Sequence, residues 1–242
     1  MNDALSKNFN EERYADTHND SAAFRADPRI RQVLSLLAPF RGGRLLDVGC
    51  MDGFLSSIFR DEGMRTVGVD ASPTAIERAK RNGHEAYVAD LDKPPLPLPD
   101  ASVDLVFAGE VVEHVFRTEE FLEELARVTK AGGHLVLTTP NLACWLNRVV
   151  LLVGWQPFFT EVGTRPGKSG NPLRTVDLAP AGHIRLFTAS SLRDLLERSG
   201  WQVLEFRGAG LMERKPVRWV DRLISRLVPS LASDLIVLCR KK

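Results

Sequence analysis

The chain has 242 residues, and its 32 basic and 31 acidic side chains leave a net charge of +1. This balance argues against electrostatic capture of nucleic acid, and a content of 44% hydrophobic and 26% charged residues excludes disordered and collagen-like chains. Cys50, Cys144 and Cys239 form no CxxC pair or Cys/His cluster, which excludes a disulfide scaffold and a zinc knuckle. We expect one domain over residues 1–242.

The N-terminal stretch, residues 1–27, is polar and shows no hydrophobic period, so we expect an irregular extension before the domain. It lacks the basic region and apolar run of a secretory signal. The longest apolar run, 149–155, contains Gly154 and is far shorter than the roughly 20 residues that cross a bilayer. We expect a cytoplasmic protein without a transmembrane helix, and peripheral contact with a membrane stays open.

The next part of the chain alternates helical and strand patterns. Asp27 before Pro28 starts the first helix, which continues at helical spacing until Pro39 ends it. The predicted elements that follow are a strand at 44–49, a helix at 53–62, a strand at 66–70, a helix at 72–83, strands at 85–90 and 103–109, a helix at 118–130 and a strand at 134–140. This alternation predicts a parallel sheet with helices on both faces.

The C-terminal part has a different pattern. Its predicted elements are a helix at 190–199, a strand at 201–206, an amphipathic helix at 217–228 and a strand at 234–239. Two strands separated by one helix suggest an antiparallel hairpin that closes the sheet.

Between residues 141 and 186 the alternation of strands and helices breaks. This segment is first apolar and aromatic, with Trp145, Trp155, Phe158 and Phe159, and then rich in Gly and Pro. A segment this long in a compact domain is typically functional, and its aromatic content argues against disorder. We predict that it is a lid over a substrate, with a plain surface insertion as the alternative.

The strongest motif is RLLDVGCMDGF, in which a strand leads through Asp47 and Gly49 to Gly53 at the start of a helix. Glycines there let the backbone turn tightly and approach a nucleotide cofactor at the carboxyl edge of a sheet. A dinucleotide would require GxGxxG, but the middle position is Met51, and Asp52 adds a second carboxylate. Two carboxylates suit a cofactor with an ammonium and a sulfonium, such as S-adenosylmethionine (SAM).

Acidic residues also end the next two predicted strands. Asp70 stands where a carboxylate can accept both ribose hydroxyls, and Asp90 stands where it can accept the adenine amino group. Because the carboxyl ends of parallel strands meet at one edge, these acids and Asp47 form one constellation. Each acid taken alone is equally consistent with a helix cap or a solvated loop.

These motifs resemble the ordered motifs of class I SAM-dependent methyltransferases over roughly residues 40–140. The resemblance implies a Rossmann-like, mostly parallel sheet of seven strands with an antiparallel last strand, helices on both faces and a lid insert after the fifth strand. The family usually has glycine where this chain has Met51, a departure that we expect to narrow the pocket. The motifs that carry the resemblance are LDVGCMDG (46–53), VGVD (67–70), DLV (104–106) and AGGH (131–134).

The resemblance also implies roles for individual residues, with SAM as the cofactor. It assigns the methionine part to Asp47 and Gly49 and the ribose to Asp70. It assigns the adenine to Asp90 with Leu91. The full set of implied cofactor-binding residues is Asp47, Gly49, Cys50, Gly53, Asp70, Ala71, Asp90, Leu91 and Glu110.

The stretch EVVEH, from Glu110 to His114, resembles ubiquinone-biosynthesis-type O-methyltransferases and small-RNA 2′-O-methyltransferases. Some of these bind a divalent cation through an ExxEH group, which would acidify an acceptor hydroxyl. We favour the alternative, in which Glu110 faces the cofactor while Glu113 and His114 bond locally, and we predict no metal. His114 and His183 are both candidate catalytic bases, because imidazole titrates near neutral pH.

The predicted reaction is O-methylation of a small-molecule or lipid-linked acceptor. An apolar pocket fringed with basic residues would suit an acceptor with an anionic group, whereas the same apolar residues could instead pack on the core or on a dimer partner. The other functions that stay open are a cofactor-binding regulator without turnover, a metal-dependent RNA 2′-O-methyltransferase and an NAD-dependent oxidoreductase or epimerase. The basic residues of the insert region are Arg165, Lys168, Arg174 and Arg185.

Overall fold

The computed structural model describes residues 21–174, 180–210 and 217–242. The strands are β1 (Arg44–Val48), β2 (Arg65–Asp70), β3 (Glu85–Val88), β4 (Val103–Gly109), β5 (Thr129–Pro140), β6 (Trp201–Ala209) and β7 (Asp234–Lys241). The α-helices are α1 (Ser21–Ala26), α2 (Pro28–Leu37), α3 (Phe54–Asp61), α4 (Pro73–Arg81), α5 (Thr118–Val128), α6 (Trp145–Leu152), α7 (Ala189–Arg198) and α8 (Val217–Leu227).

The seven strands form one sheet in the order β3-β2-β1-β4-β5-β7-β6. The first five strands pair in parallel, and β7 is antiparallel to both of its neighbours, β5 and β6. This confirms the predicted Rossmann-like sheet and its C-terminal hairpin. The carboxyl ends of β1 to β5 therefore meet at one edge of the sheet, where ligands bind in open α/β folds.

Helices cover both faces of the sheet, as the apolar parallel strands require. On one face, Leu37 of α2 and Phe59 of α3 pack in one cluster with Phe107 of β4, and the two phenylalanine rings meet edge to face at 5.1 Å. On the other face, α5 and α7 pack against the alternate residues of β4. The indole of fully buried Trp201 donates to the Leu122 carbonyl at 3.0 Å, which ties β6 to α5.

The described strands and helices follow the sequence predictions closely, with one larger difference at β5. This strand begins at Thr129, five residues before the predicted start at 134. Its pairing with β4 shifts register between Val103 and Leu105, and Gly132 has a φ of +72°. The AGGH motif therefore lies inside β5, next to a bulge. Its residues do not alternate between apolar and polar, so the pattern does not indicate that the strand begins before them.

Two regions are more ordered than the sequence predicts. Within the expected irregular extension, residues 21–26 form α1, because Phe24 packs edge to face on Phe54 of α3 and Arg25 pairs with Glu62. The prediction for residues 1–20 lies outside the described residues. The insert begins with a helix, α6, which was not predicted.

The helices of the described ranges are short, and α5 and α8 are the longest at 11 residues each. None of these helices is long and apolar enough to cross a membrane.

Candidate active site

The glycine loop follows β1 and is held in a tight turn. Gly49 and Gly53 have φ values of +73° and +84°, which favour glycine. The Gly49 N–H donates to the Val69 carbonyl of β2 at 2.8 Å. A Cβ on Gly49 would lie 2.9 Å from Val111, and a Cβ on Gly53 would lie 2.4 Å from the His84 ring. Both glycines are therefore required by φ and by close packing, as the motif predicts.

Met51 takes the position at which the resemblance expects glycine. Its φ of +51° lies in the left-handed region, so the loop keeps a glycine-like backbone despite the side chain. Its N–H donates to Asp70 Oδ2 at 3.0 Å. The neighbouring Cys50 has a buried side chain that packs with Ile76 of α4, and its Sγ lies 3.8 Å from the Met51 carbonyl. Burial raises the pKa of the Cys50 thiol, so it stays protonated.

Asp47 lies at the end of β1 and is 1% exposed. Ser56 Oγ of α3 donates to Asp47 Oδ2 at 2.7 Å. Burial raises the pKa of Asp47 to about 7, the serine hydrogen bond lowers it, and the charge of Asp70 raises it. Within the described part of the chain Asp47 has no ion-pair partner. A buried carboxylate without a cation fits a positively charged ligand.

Asp70 closes β2 and faces the same turn. Its Oδ1 accepts from the Ser72 N–H at 2.8 Å, and its Oδ2 accepts from Met51. Burial raises the pKa of Asp70, and these backbone N–H groups act in the opposite direction. Ala71, the next residue, is exposed at the sheet edge. Each carboxylate oxygen keeps lone-pair capacity for a further hydroxyl, so the predicted ribose contact is sterically and chemically available.

Asp90 and Leu91 follow β3 at the same edge. The Asp90 carboxylate is exposed and pairs with Lys93 Nζ at 2.9 Å, and it also accepts from the Asp92 N–H at 3.1 Å. Leu91 is half-buried against the core. Of the three aspartates predicted to bind the cofactor, Asp90 is therefore the one with an ion-pair partner among the described residues.

Glu110 follows β4. Its ion-pair partner, Arg29, lies on α2 and not in the EVVEH stretch. Arg29 Nη1 lies 3.0 Å from Glu110 Oε2 and 3.4 Å from Asp234 Oδ2 of β7. Thr138 Oγ1 also donates to Glu110 Oε1 at 2.8 Å. The backbone of Glu110 has a φ of +56°, a strained conformation that turns the side chain toward Arg29. Sequence reasoning missed Arg29 and Asp234, because they are distant from Glu110 along the chain.

Glu113 is fully buried in the short 3-10 turn Val112–His114. Thr139 Oγ1 of β5 donates to Glu113 Oε2 at 3.0 Å, while Oε1 has no hydrogen-bond partner among the described residues. Burial and the nearby charge of Glu110 raise the pKa of Glu113 to about 8. Burial thus favours the uncharged form of this carboxyl.

The structure brings His114 and His183 together, although 69 positions separate them in the sequence. Their ring centroids are 5.0 Å apart. His114 Nδ1 lies 3.0 Å from the Gly182 carbonyl, and His183 Nδ1 lies 2.8 Å from the Phe159 carbonyl. Because a carbonyl only accepts, each Nδ1 carries the proton and each Nε2 carries the lone pair. Both rings are thus set up to accept a proton at Nε2.

Glu161 of the insert organises the turn that carries His183. Its carboxylate accepts from the N–H groups of Ala181, Gly182 at 2.8 Å and His183 at 3.2 Å. The Ile184 N–H then donates to the Glu113 carbonyl at 2.9 Å. The sequence analysis did not identify Glu161, because its contacts with the turn form only when the insert folds.

Three of these side chains could together hold a cation. One ligand atom each from Glu113, His114 and His183 lie within 4.8 Å of one another. Glu110, the first acid of the ExxEH stretch, stands outside this group because Arg29 and Thr138 hold it.

The insert packs beside the histidine pair and is itself held by hydrogen bonds. The Phe158 N–H donates to Asn147 Oδ1 of α6 at 2.7 Å, and Trp145 Nε1 donates to Asp221 Oδ1 at 2.9 Å. The four aromatic side chains predicted to line the acceptor pocket are all partly buried. Of the basic residues, Arg174 and Arg185 bind the backbone carbonyls of Thr160 and Phe116, and Arg165 and Lys168 are exposed.

Two surface grooves of about 700 and 530 Å³ lie elsewhere, and no predicted site residue lines them.

Comparison with known proteins agrees with this geometry. A family described as a methyltransferase domain matches residues 22–205, which is more than half of the chain. A probable S-adenosylmethionine-dependent methyltransferase of Mycolicibacterium smegmatis is 29% identical over 190 residues, which are 76% of this chain and 64% of that protein. A ubiquinone biosynthesis O-methyltransferase of Bradyrhizobium sp. (strain ORS 278) is 34% identical over 147 residues, or 57% of this chain and 54% of that protein. The chain thus spans between half and two thirds of these curated relatives.

Solved structures show the same fold. An S-adenosylmethionine-dependent methyltransferase from Mesorhizobium loti has a TM-score of 0.60 at 19% identity, with 88% of this chain and 98% of that chain covered. The sheet order, the glycine loop after β1 and the acids at the ends of β1 and β2 are the features that the resemblance predicted. The chain therefore belongs to the methyltransferase-domain family.

Proposed function

We propose that this enzyme methylates a hydroxyl group of a small-molecule or lipid-linked acceptor. The observation that carries the proposal is the pair of imidazoles, His114 and His183, whose Nδ1 atoms are both bonded to backbone carbonyls. In a neutral ring with this arrangement, Nε2 is the nitrogen that can accept a proton. A hydroxyl loses its proton as it is methylated, and an imidazole suits that proton transfer near neutral pH.

The cofactor half of the site is formed by the ends of β1, β2 and β3. When bound, SAM supplies a methyl group on a positively charged sulfur. We assign its methionine part to Asp47 and Gly49, its ribose to Asp70 and Ala71, and its adenine to Asp90 and Leu91. The buried Asp47 carboxyl, which has no described cation beside it, supports this assignment. Gly49 and Gly53 allow the tight turn of the loop at two positions where a Cβ would meet Val111 and His84.

The acceptor half lies under the insert. Glu113 and Glu161 hold the turn and the loop that carry the two histidines, so their positions depend on both β4 and the insert. Partly buried aromatic side chains of the insert exclude water and contact an apolar acceptor. Most of the rate enhancement is expected from alignment of the acceptor oxygen with the methyl group. The relative named as a ubiquinone biosynthesis O-methyltransferase supports an oxygen atom as the acceptor.

The test is a transfer assay with isotopically labelled SAM, the purified protein and a panel of acceptors. The panel contains a phenol, a carboxylic acid, an amine, a short RNA and a cell extract, and mass spectrometry identifies the methylated atom. His114→Ala and His183→Ala should lower transfer to the hydroxyl acceptor while SAM affinity stays the same. His134→Ala, on β5 with its ring against Phe40, is the matched control for loss of a histidine.

Three outcomes would contradict the proposal. A methylated nitrogen, carboxyl or RNA would replace the hydroxyl as the acceptor group. Tight SAM binding without turnover on any fraction of the extract would favour the cofactor-binding regulator. An unchanged rate in both histidine variants would remove the imidazole pair from the reaction.

A further inference from the structure

Helix α8 (Val217–Leu227) is amphipathic, but its polar side faces the protein. Asp221 is fully buried and Ser225 is 3% exposed, whereas Trp219 is 70% exposed and Leu227 69% exposed. Asp221 accepts from Trp145 Nε1 at 2.9 Å and from Ser233 Oγ at 3.0 Å, which fixes this orientation. The helix is therefore anchored through its acid and presents apolar side chains outward.

The outward side chains form one stripe. At 100° per residue, Trp219, Leu223 and Leu227 follow each other at four-residue spacing on the face opposite Asp221. All three are exposed, and Val220 beside them is 36% exposed. An apolar stripe of this kind on a surface helix, with a tryptophan, is typical of a helix that lies in a membrane interface.

Basic residues flank this stripe on one side. Arg222 and Arg226 are exposed and lie next to Trp219 on the helix, and the one acid of the helix sequence is the buried Asp221. Residues 214–226 of the sequence contain five basic side chains and one acidic side chain. The outward face is thus apolar and positively charged.

The same two arginines line a groove of about 530 Å³ between α8, α2 and β6. Arg207 and Ser225 also line it. The buried Ser225 hydroxyl has no hydrogen-bond partner in the part of the chain that the structure describes. Glu205 also lines the groove and pairs with Arg207 at 2.7 Å, so Arg222, Arg226 and the Ser225 hydroxyl are the donors that suit a phosphate there.

A second exposed apolar segment lies on the insert. Helix α6 is joined to α8 by the Trp145 to Asp221 hydrogen bond, and its C-terminal end exposes Leu151 by 53% and Leu152 by 87%. Asn141, between β5 and α6, donates to the Ser230 and Ala232 carbonyls just after α8. These hydrogen bonds connect α8 and the turn after it to the start of the insert.

We propose that α8 docks this protein on an anionic phospholipid membrane. Trp219, Leu223 and Leu227 enter the interface, and Arg222 with Arg226 bind the lipid phosphates. The positive charge of Arg222 and Arg226 favours an anionic membrane over a second copy of the chain on this face. A symmetric contact between two copies would place these arginines against each other. The proposal does not depend on the methyl acceptor.

The experiment is co-sedimentation of the full chain with vesicles of phosphatidylcholine alone and of phosphatidylcholine with an equal part of phosphatidylglycerol. Binding is expected only to the anionic vesicles and should weaken with added salt. Since each basic residue near such a surface contributes about fivefold in affinity, Arg222→Glu with Arg226→Glu should weaken binding at least tenfold. Lys80→Glu with Arg81→Glu, on α4, is the matched control and should have a smaller effect.

A second measurement does not rely on loss of binding. A dye that responds to polarity, attached at Leu223→Cys, should shift to the blue with anionic vesicles, and the same dye at Tyr87→Cys, on the opposite edge strand β3, should not. Cys50, Cys144 and Cys239 are buried, so the label goes to the introduced thiol. Equal binding to neutral vesicles, absence of binding, or a silent dye at Leu223 would overturn the proposal. Light scattering measures the oligomeric state in solution. If the wild type is a dimer and Leu223→Ser is a monomer, this face binds a second copy of the chain and the membrane proposal is wrong.

Discussion

The buried carboxyl of Asp47 makes a sharp prediction about stability. Burial raises its pKa in the folded protein to about 7, from an ordinary value of 3.8. The carboxyl is therefore ionised more readily in the unfolded chain, and its ionisation destabilises the fold. This penalty is absent below about pH 4, grows as the pH rises toward 7, and is constant above that value. Asp47→Asn removes the ionisation while its amide oxygen can still accept from Ser56 Oγ.

The magnitude follows from the two pKa values. A difference of about 3 units corresponds to roughly 4 kcal/mol at pH 8, and about 3 kcal/mol of this develops between pH 5 and pH 8. The buried amide of the new asparagine has its own cost, on the order of 1 to 3 kcal/mol. Because that cost does not change with pH, the quantity to measure is the change in the stability difference between the two pH values.

The assay is urea unfolding of the wild type and Asp47→Asn without cofactor, at pH 5 and pH 8. The variant should gain about 3 kcal/mol relative to the wild type between these conditions. Asp52→Asn, in the same loop, is the matched control for removal of one acid. A stability difference that is the same at both pH values would refute the reasoning, because it would mean that Asp47 ionises equally in the folded and unfolded chain.

The remaining predictions concern the cofactor, the metal and the insert. SAM binding at pH 6.5 should release most of one proton from Asp47, because its raised pKa leaves the carboxyl largely protonated before the cation binds. Calorimetry in two buffers of different ionisation enthalpy measures this release. Binding without proton release would contradict the raised pKa. Asp70→Ala should weaken SAM binding by about 1 to 3 kcal/mol in calorimetry, and an unchanged affinity would count against the ribose assignment. Methyl transfer should survive EDTA, because Arg29 pairs with Glu110 and burial favours the uncharged form of Glu113. Loss of activity that magnesium restores would disprove this. The double variant Phe158→Ala with Phe159→Ala should reduce the rate of methyl transfer far more than the affinity for SAM. Hydrogen exchange in the insert should slow only when acceptor or product is present. Equal losses of transfer rate and SAM affinity, or slow exchange without a ligand, would refute the lid.

The cofactor half of the site could be predicted from the sequence because its residues follow the strands directly. Asp47 and Asp70 end β1 and β2, and the parallel pairing of those strands places them at one edge. Gly49 and Gly53 are identified by the turn that they permit. Met51 shows the limit of this reasoning, since the sequence indicates a missing glycine but not that Met51 takes a φ of +51° in its place.

The acceptor half could not be predicted in the same way, because its contacts join distant parts of the chain. Arg29 reaches Glu110 and Asp234 only after α2 packs beside β4 and β7. Glu161 meets the backbone of His183 only after the insert folds. Neither contact leaves a local pattern in the sequence, whereas the two histidines could be proposed because of their chemistry.

The distribution of charge along the sheet edge explains why the two halves suit different ligands. In the cofactor half, the raised pKa values of Asp47 and Asp70 result from burial without a described cation, so a cationic ligand stabilises their ionised forms. In the acceptor half, Arg29 pairs with both Glu110 and Asp234, and burial raises the pKa values of Asp234 and Glu113. Raised pKa values favour the uncharged forms of these two acids, so they repel an acceptor hydroxyl that loses its proton less than exposed carboxylates would. One edge of the sheet can therefore bind a cation at its cofactor half and still admit a substrate that loses a proton at its acceptor half.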